Sequence, residues 1–257
     1  MTGSKRASCD SPELICLHCM LASGRSWAGI TRALAGFKVT APDLLGHGRA
    51  PDPDPNADFH DQATAAAAAR LSGGPGILVG HSLGATIALR LAIEMPQRVA
   101  RLILIEPVLF AGAGDGPGRA ATRAQLGHLE GLPAEAAARR FLAVWGDKPY
   151  EALKPAQQAY ICERIWLEQA QAPTLEEDRA NLLPRLGRVD VPVLLIEGAK
   201  SPPVIAEIMT RLEADLADTS RVVIAGAGHM APITHAGEVA RAIKTFLGCG
   251  AVAEDSF

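Results

Sequence analysis

Ser82 and His229 are the two residues whose type and setting best suit them to covalent chemistry. A serine hydroxyl attacks a carbonyl only when a base removes its proton, and imidazole titrates in the range that such a base needs. Ser82 stands in Gly80-His81-Ser82-Leu83-Gly84, a Gly-x-Ser-x-Gly pattern. An apolar stretch from Gly76 to Val79 precedes it, and a strong helix former, Leu83 to Glu94, follows. A serine on such a sharp strand-to-helix turn is held in a strained backbone conformation that projects its hydroxyl, and small neighbours let strand and helix approach closely. The helix start also directs N–H groups and the positive end of its dipole at the reacting centre. The pattern is short and the chain has 25 glycines, so the strand–turn–helix setting carries the reading rather than the pattern alone. His229 follows the apolar stretch Arg221 to Ile224 and the loop Gly226-Ala227-Gly228. His235 is its nearest rival as base, but it is expected to open the final helix. His81 is expected to pack beside the turn, His18 and His47 to shape the pocket wall or its loops, and His60 and His128 to lie at the surface.

The elements that must position these groups follow from hydrophobic periodicity. Six short apolar runs read as strands: Leu14 to Leu17, Phe37 to Ala41, Gly76 to Val79, Leu102 to Ile105, Val191 to Ile196 and Arg221 to Ile224. They are apolar on consecutive positions, as strands buried on both faces of a parallel sheet are. Helical patterns at Arg25 to Ala35, Ala57 to Leu71, Leu83 to Glu94, Val204 to Leu216 and Glu238 to Leu247 alternate with them. The alternation predicts an α/β fold: a doubly wound, mostly parallel sheet of about six strands with helices on both faces. From about Pro107 to Asp190 no strand pattern occurs, and Pro133, Pro149, Pro155, Pro173 and Pro184 punctuate an Ala-, Arg-, Glu- and Gln-rich stretch near helix starts and ends. One crossover helix needs far fewer residues. We therefore expect residues 1–106 and 191–257 to form the core and residues 107–190 an all-helical lid over the strand ends. Gly248 to Phe257 reads as a loose tail.

Bulk properties narrow the class. The chain has 257 residues, 48% hydrophobic and 21% charged, with a formal net charge of −3, as an ordinary globular protein does. There is no basic stripe of the kind that marks a nucleic-acid partner. No stretch approaches the roughly 20 apolar residues that span a bilayer, and the N-terminus lacks the pattern of a secretory signal. Five cysteines, irregularly spaced, read as reduced thiols in the cytoplasm. Cys16 and Cys19 form a Cys-x-x-Cys, but no second ligand pair is near in sequence, so neither metal nor cofactor is expected.

Four segments, in order, resemble the α/β-hydrolase superfamily. Leu17-His18-Cys19-Met20 is similar to the family's strand-end Leu-His-Gly segment, and Pro42 to Gly48 to its Pro-Asp-Leu-Pro-Gly-His-Gly loop. Val79 to Gly84 matches its nucleophile elbow, and Gly226 to Met230 its late histidine loop. The resemblance runs from Leu14 to Leu247 and implies Ser82 as nucleophile and His229 as base. Members usually open with a two-strand hairpin, for which only about a dozen residues are present, so it is expected to be absent or vestigial.

The resemblance also says where an acid belongs. Most members carry an Asp shortly after the strand that corresponds to Val191 to Ile196, and this chain has Ser201 there. Some members, haloalkane dehalogenases among them, place the acid at the preceding strand end, where this chain has Glu106. Glu106 is the expected acid, with Glu197 or another residue as alternatives. The oxyanion hole implied by the family uses the backbone N–H groups of Leu83 and of Cys19 or Met20, with Met20 favoured. Asp43 is expected to brace the loop through Gly48. His18, Cys19, His81, Trp145 and Trp166 are candidates to line a substrate pocket, the two tryptophans either as lid core or as an aromatic wall.

The expected activity is hydrolysis of a small carboxylic ester or related acyl compound, with a small-molecule substrate as the only partner and the chain as monomer or homodimer. A non-hydrolytic enzyme of this fold, such as a cofactor-free lyase or perhydrolase, would use the same residues. A pseudo-enzyme that binds a ligand under the lid is the reading that the missing Asp would favour.

Overall fold

Alternation of apolar residues along the strands divides the core in two. The computed structural model describes residues 13–71 and 74–249. Its six strands are β1 (Leu14–Leu17), β2 (Val39–Thr40), β3 (Gly76–His81), β4 (Val99–Ile105), β5 (Val193–Gly198) and β6 (Thr219–Ile224). They form one sheet in the order β2-β1-β3-β4-β5-β6, every pair parallel. Successive side chains point to opposite faces. Ile15, Leu17, Leu78, Leu102, Leu104 and Leu195 join one buried cluster, and Leu14, Cys16, Val79, Ile103, Ile105 and Ile196 the other.

Ten helices complete the described residues: α1 (Ala28–Ala33), α2 (Phe59–Ala68), α3 (Leu83–Glu94), α4 (Pro117–Leu126), α5 (Ala134–Trp145), α6 (Pro155–Arg164), α7 (Leu167–Glu177), α8 (Pro203–Asp215), α9 (Ala231–Thr234) and α10 (Ala236–Phe246). Ala63 of α2, Ile87 and Leu91 of α3 and Ile208 of α8 pack in the first cluster, while Ile30 of α1 and Val239 and Ile243 of α10 pack in the second. The sheet is thus covered on both faces, as the doubly wound reading expects. The chain leaves β1 toward β2 on one side and returns to β3 on the other. Such a reversal of strand order opens a crevice at the carboxyl ends of the strands, where ligands bind in sheets of this type. Helices α4 to α7 lie between β4 and β5.

Two strand readings need correction. β2 is only two residues long and half-buried, and β6 has Val223 54% exposed, so neither edge strand is buried on both faces. β3 also runs on through Gly80 to His81. The N-terminal hairpin region, Cys9 and the tail beyond residue 249 lie outside the described residues. No helix among the described residues is long and apolar enough to cross a membrane.

Candidate active site

The turn between β3 and α3 determines where Ser82 can go. Ser82 has φ 56° and ψ −119°, a conformation that L-residues rarely adopt and that the surroundings must enforce. A hydrogen bond from Ser82 N–H to Ile105 O (2.9 Å) ties the turn to β4, and Ser82 O accepts from Ala85 N–H as α3 begins. Glycines flank it for steric reasons. A Cβ on Gly80 would strike Gly84 O and the Ala85 backbone, and a Cβ on Gly84 would strike Leu17 and His18. Strand, helix and the β1 loop therefore meet at van der Waals distance around the serine.

Three side chains from three strand ends join there. His229 Nε2 lies 3.0 Å from Ser82 Oγ, and His229 Nδ1 lies 2.9 Å from Glu106 Oε2. Glu106 also has positive φ, 52°, at the end of β4 and is fully buried. Its other oxygen, Oε1, accepts from Gly198 N–H (2.5 Å) and Ser201 O–H (2.6 Å). Both carboxylate oxygens are thus engaged, as a buried charge requires. Ser201, which stands where most α/β hydrolases carry an acid, serves here as a donor to Glu106. Glu197 points elsewhere and is paired with Arg221 (2.7 Å). His235 is bound by Thr234 Oγ1 next to it (2.9 Å), at the entry to α10.

Neither Leu83 N–H nor Met20 N–H donates to a protein acceptor among the described residues, and both residues lie with Ser82 around one small cavity. Positive φ in the β1 loop falls at Leu21, not Cys19, so a cysteine fits where the family usually has glycine.

Two cavities open at Ser82. The larger, about 1010 Å³, is lined by Ser82, His229, Cys19, Trp145, Tyr160 and Ile161 among others. The smaller, about 40 Å³, lies between Ser82, Leu83, Met20 and α7. Trp145 of α5 stands edge-on to the His229 ring with centroids 4.7 Å apart. Tyr160 of α6 donates its hydroxyl proton to Ala22 O and accepts from Gly48 N–H (both 2.9 Å), joining the helical segment to the core loops. Asp43 braces those loops as expected, accepting from Gly24 N–H (2.8 Å) and Arg49 N–H (2.9 Å).

Three pocket candidates are corrected. Trp166 is 43% exposed at the start of α7 and lines neither cavity, because the helix turns it outward. His18 and His81 also line neither. His18 is wholly buried behind the pocket, donating from Nδ1 to Cys19 O (2.7 Å) and accepting at Nε2 from Leu44 N–H (2.9 Å). His81 donates from Nε2 to His229 O (2.8 Å) and so holds the backbone of His229 in place. Cys19 and Trp145 do line the large cavity. Cys16 lies in the opposite cluster, and burial pushes both thiols up to about 12. His60 is buried rather than at the surface. Arg90, which cannot give up its proton, lies 3.3 Å from His60 Nδ1, so that nitrogen accepts and the ring is neutral.

These histidines make stability depend on acid. Burial pushes His18, His60 and His81 down from 6.5 to about 3 and His47 to about 4. The like charges of His47 near His18, of Arg90 near His60 and of His229 near His81 add to this. The folded chain therefore keeps four neutral rings where the unfolded chain takes up protons below pH 6.5. The stabilisation is complete above that pH and is lost as pH falls from 6.5 toward 3–4. All four rings act in the same direction, so stability falls as pH drops below 6.5. Urea unfolding between pH 7.5 and 5.0 should show this fall. A flat profile would contradict it.

The chain is similar to known proteins over nearly its whole length. The model of a family described as "Alpha/beta hydrolase family" matches residues 14–242. Lipase LipV of Mycobacterium tuberculosis is 30% identical over 249 residues, covering 92% of this chain and 93% of the relative. The pimeloyl-[acyl-carrier protein] methyl ester esterase of Methylococcus capsulatus is 32% identical, covering 92% and 94%. Among solved structures, carboxylesterase CesB from Bacillus subtilis superposes with a TM-score of 0.66 at 23% identity, covering 97% of this chain and 87% of that one.

Proposed function

The chain belongs to the alpha/beta hydrolase family, and from that membership we propose that it hydrolyses a small carboxylic ester or related acyl compound through Ser82, His229 and Glu106. The observation that carries this reading is the unbroken hydrogen-bond relay from Ser82 Oγ through both nitrogens of His229 to Glu106, at the floor of a cavity that can admit a substrate. The names of its relatives, lipase and methyl ester esterase, agree with it.

In the proposed reaction Ser82 Oγ attacks the carbonyl carbon as His229 Nε2 takes its proton. The tetrahedral oxyanion is received by the N–H groups of Leu83 and Met20, each contributing about 3 kcal/mol. Collapse expels the alcohol with the proton from His229. Water, activated by the same ring, then cleaves the acyl-enzyme and restores Ser82. Glu106 keeps the proton on Nδ1, which leaves Nε2 free to accept, and it stabilises the imidazolium that forms. Residues 107–190 act as a lid, with Trp145 shielding His229 from water. The hydrogen bond between Glu106 and His229 supports the hydrolytic reading over a ligand-binding one.

A fluorophosphonate probe tests the proposal directly. Wild-type protein should be labelled on Ser82 and should hydrolyse p-nitrophenyl acetate. Absence of both would overturn it.

A further inference from the structure

The two cavities stand differently to the reacting atoms. The leaving group must receive its proton from His229 Nε2, so it occupies the side of Ser82 that His229 lines, which is the large cavity. The acyl group then extends past the oxyanion donors into the space bounded by Ser82, Leu83 and Met20, which His229 does not line. That space is about 40 Å³, room for about three water-sized groups.

Its far wall is one face of α7. Glu168, Gln171, Ala172 and Leu175 recur at helical spacing and all border the small cavity. On an inward face these positions are usually apolar, and here two are polar. Gln171 is 5% exposed, and its Oε1 has no hydrogen-bond partner. Its amide nitrogen is turned to Met20 Sδ, which leaves the carbonyl oxygen as the free, accepting end. Glu168 forms no ion pair or side-chain hydrogen bond among the described residues, whereas nearby Glu176 is held by Arg119 (2.9 Å) and Arg123 (2.6 Å). A buried acceptor without a partner calls for a donor, and beside a reaction centre a ligand's hydroxyl is such a donor.

We infer that the small cavity is the acyl subsite and that Gln171, with Glu168, selects short acyl groups bearing a hydroxyl. Burial and the neighbouring Glu176 also raise the pKa of Glu168. A site that disfavours its own negative charge suits a neutral hydroxyl better than an ammonium group. The inference rests on the esterase reading for which side is acyl, and its test separates the two.

The comparison is kcat/KM for phenyl pentanoate against phenyl 2- and 3-hydroxybutanoate, which have the same number of heavy atoms. Wild type should prefer one hydroxybutanoate by at least about 10-fold, because a site built to bind a hydroxyl rejects the analogue that lacks it. In Gln171→Met, which keeps the volume and loses the acceptor, that ratio should fall to near one. In Glu168→Gln it should fall less. A wild-type ratio of one or below for both esters, or a ratio unchanged in Gln171→Met, overturns the role of Gln171. Rates that rise from butanoate to octanoate overturn the acyl placement. A preference for the 3-aminobutanoate ester overturns the hydroxyl in favour of an ammonium. If wild type turns over no ester, the esterase reading fails by itself. Calorimetric binding of 3-hydroxybutanoate against butanoate to Ser82→Ala then decides the inference. Tighter binding of the hydroxy acid that Gln171→Met abolishes supports it, and equal binding overturns it.

Discussion

Replacing Ser82 with alanine should lower kcat for p-nitrophenyl acetate by about 10⁶-fold and abolish fluorophosphonate labelling. The substitution removes only Oγ. His229 Nε2, which now lies 3.0 Å from that oxygen, would lose its partner. No other hydroxyl is hydrogen-bonded to that nitrogen among the described residues, so no second nucleophile takes over. The residual rate should still exceed that in water, because the proposed oxyanion donors, Leu83 and Met20, and the cavity remain. The fold should be kept. Alanine meets the same backbone strain at φ 56° as serine does, and the turn is held by main-chain bonds to Ile105 and Ala85. Circular dichroism and a thermal melt check this. A loss smaller than about 100-fold, with native melting, would show that Ser82 is not the nucleophile.

Glu106→Gln should cost about 10⁴-fold, close to 5.5 kcal/mol of barrier. The reason lies in the two oxygens of the carboxylate. Gly198 N–H and Ser201 O–H both donate to Oε1, so the amide oxygen of glutamine is drawn to that position. Its NH₂ group then faces His229 Nδ1, where Oε2 now stands at 2.9 Å. Nδ1 must accept, the ring proton moves to Nε2, and Nε2 can no longer take the proton of Ser82. Ser201→Ala removes one donor to the same carboxylate and should cost far less, on the order of 10-fold. Glu197→Gln should leave the rate nearly unchanged, because Glu197 is engaged by Arg221 and not by His229. If Glu197→Gln proves the more damaging of the two, the acid has been assigned to the wrong strand end.

Local pattern made much of this site legible. Strand and helix periods placed Ser82 between β3 and α3, and Leu83–Glu94 forms the helix over the same residues that its pattern predicts. Polar residues without a local pattern were harder to place. His60 reads as a surface residue, yet α2 turns it inward against Arg90. Trp166 reads as lid core or as an aromatic wall, but at the start of α7 it is exposed. Glu168 and Gln171 could have been noticed by their spacing with Ala172 and Leu175. Only a partner surface shows which face of α7 is inward.

The sequence by itself determined the alternating α/β order, the elbow at Ser82 and the histidine loop at residue 229, because each depends on hydrophobic period and small-residue sterics within a short stretch. Resemblance pointed to Glu106 behind the histidine, and tertiary structure sets Glu106, rather than Glu197, within hydrogen-bond distance of His229. Glu106, His229 and Ser201 are separated by 123 and 95 residues from their hydrogen-bond partners along these links. Parallel pairing of β4 with β5, and of β5 with β6, brings their carboxyl ends together. A carboxylate there is engaged by whichever donors the register sets beside it, and no local periodicity encodes that register.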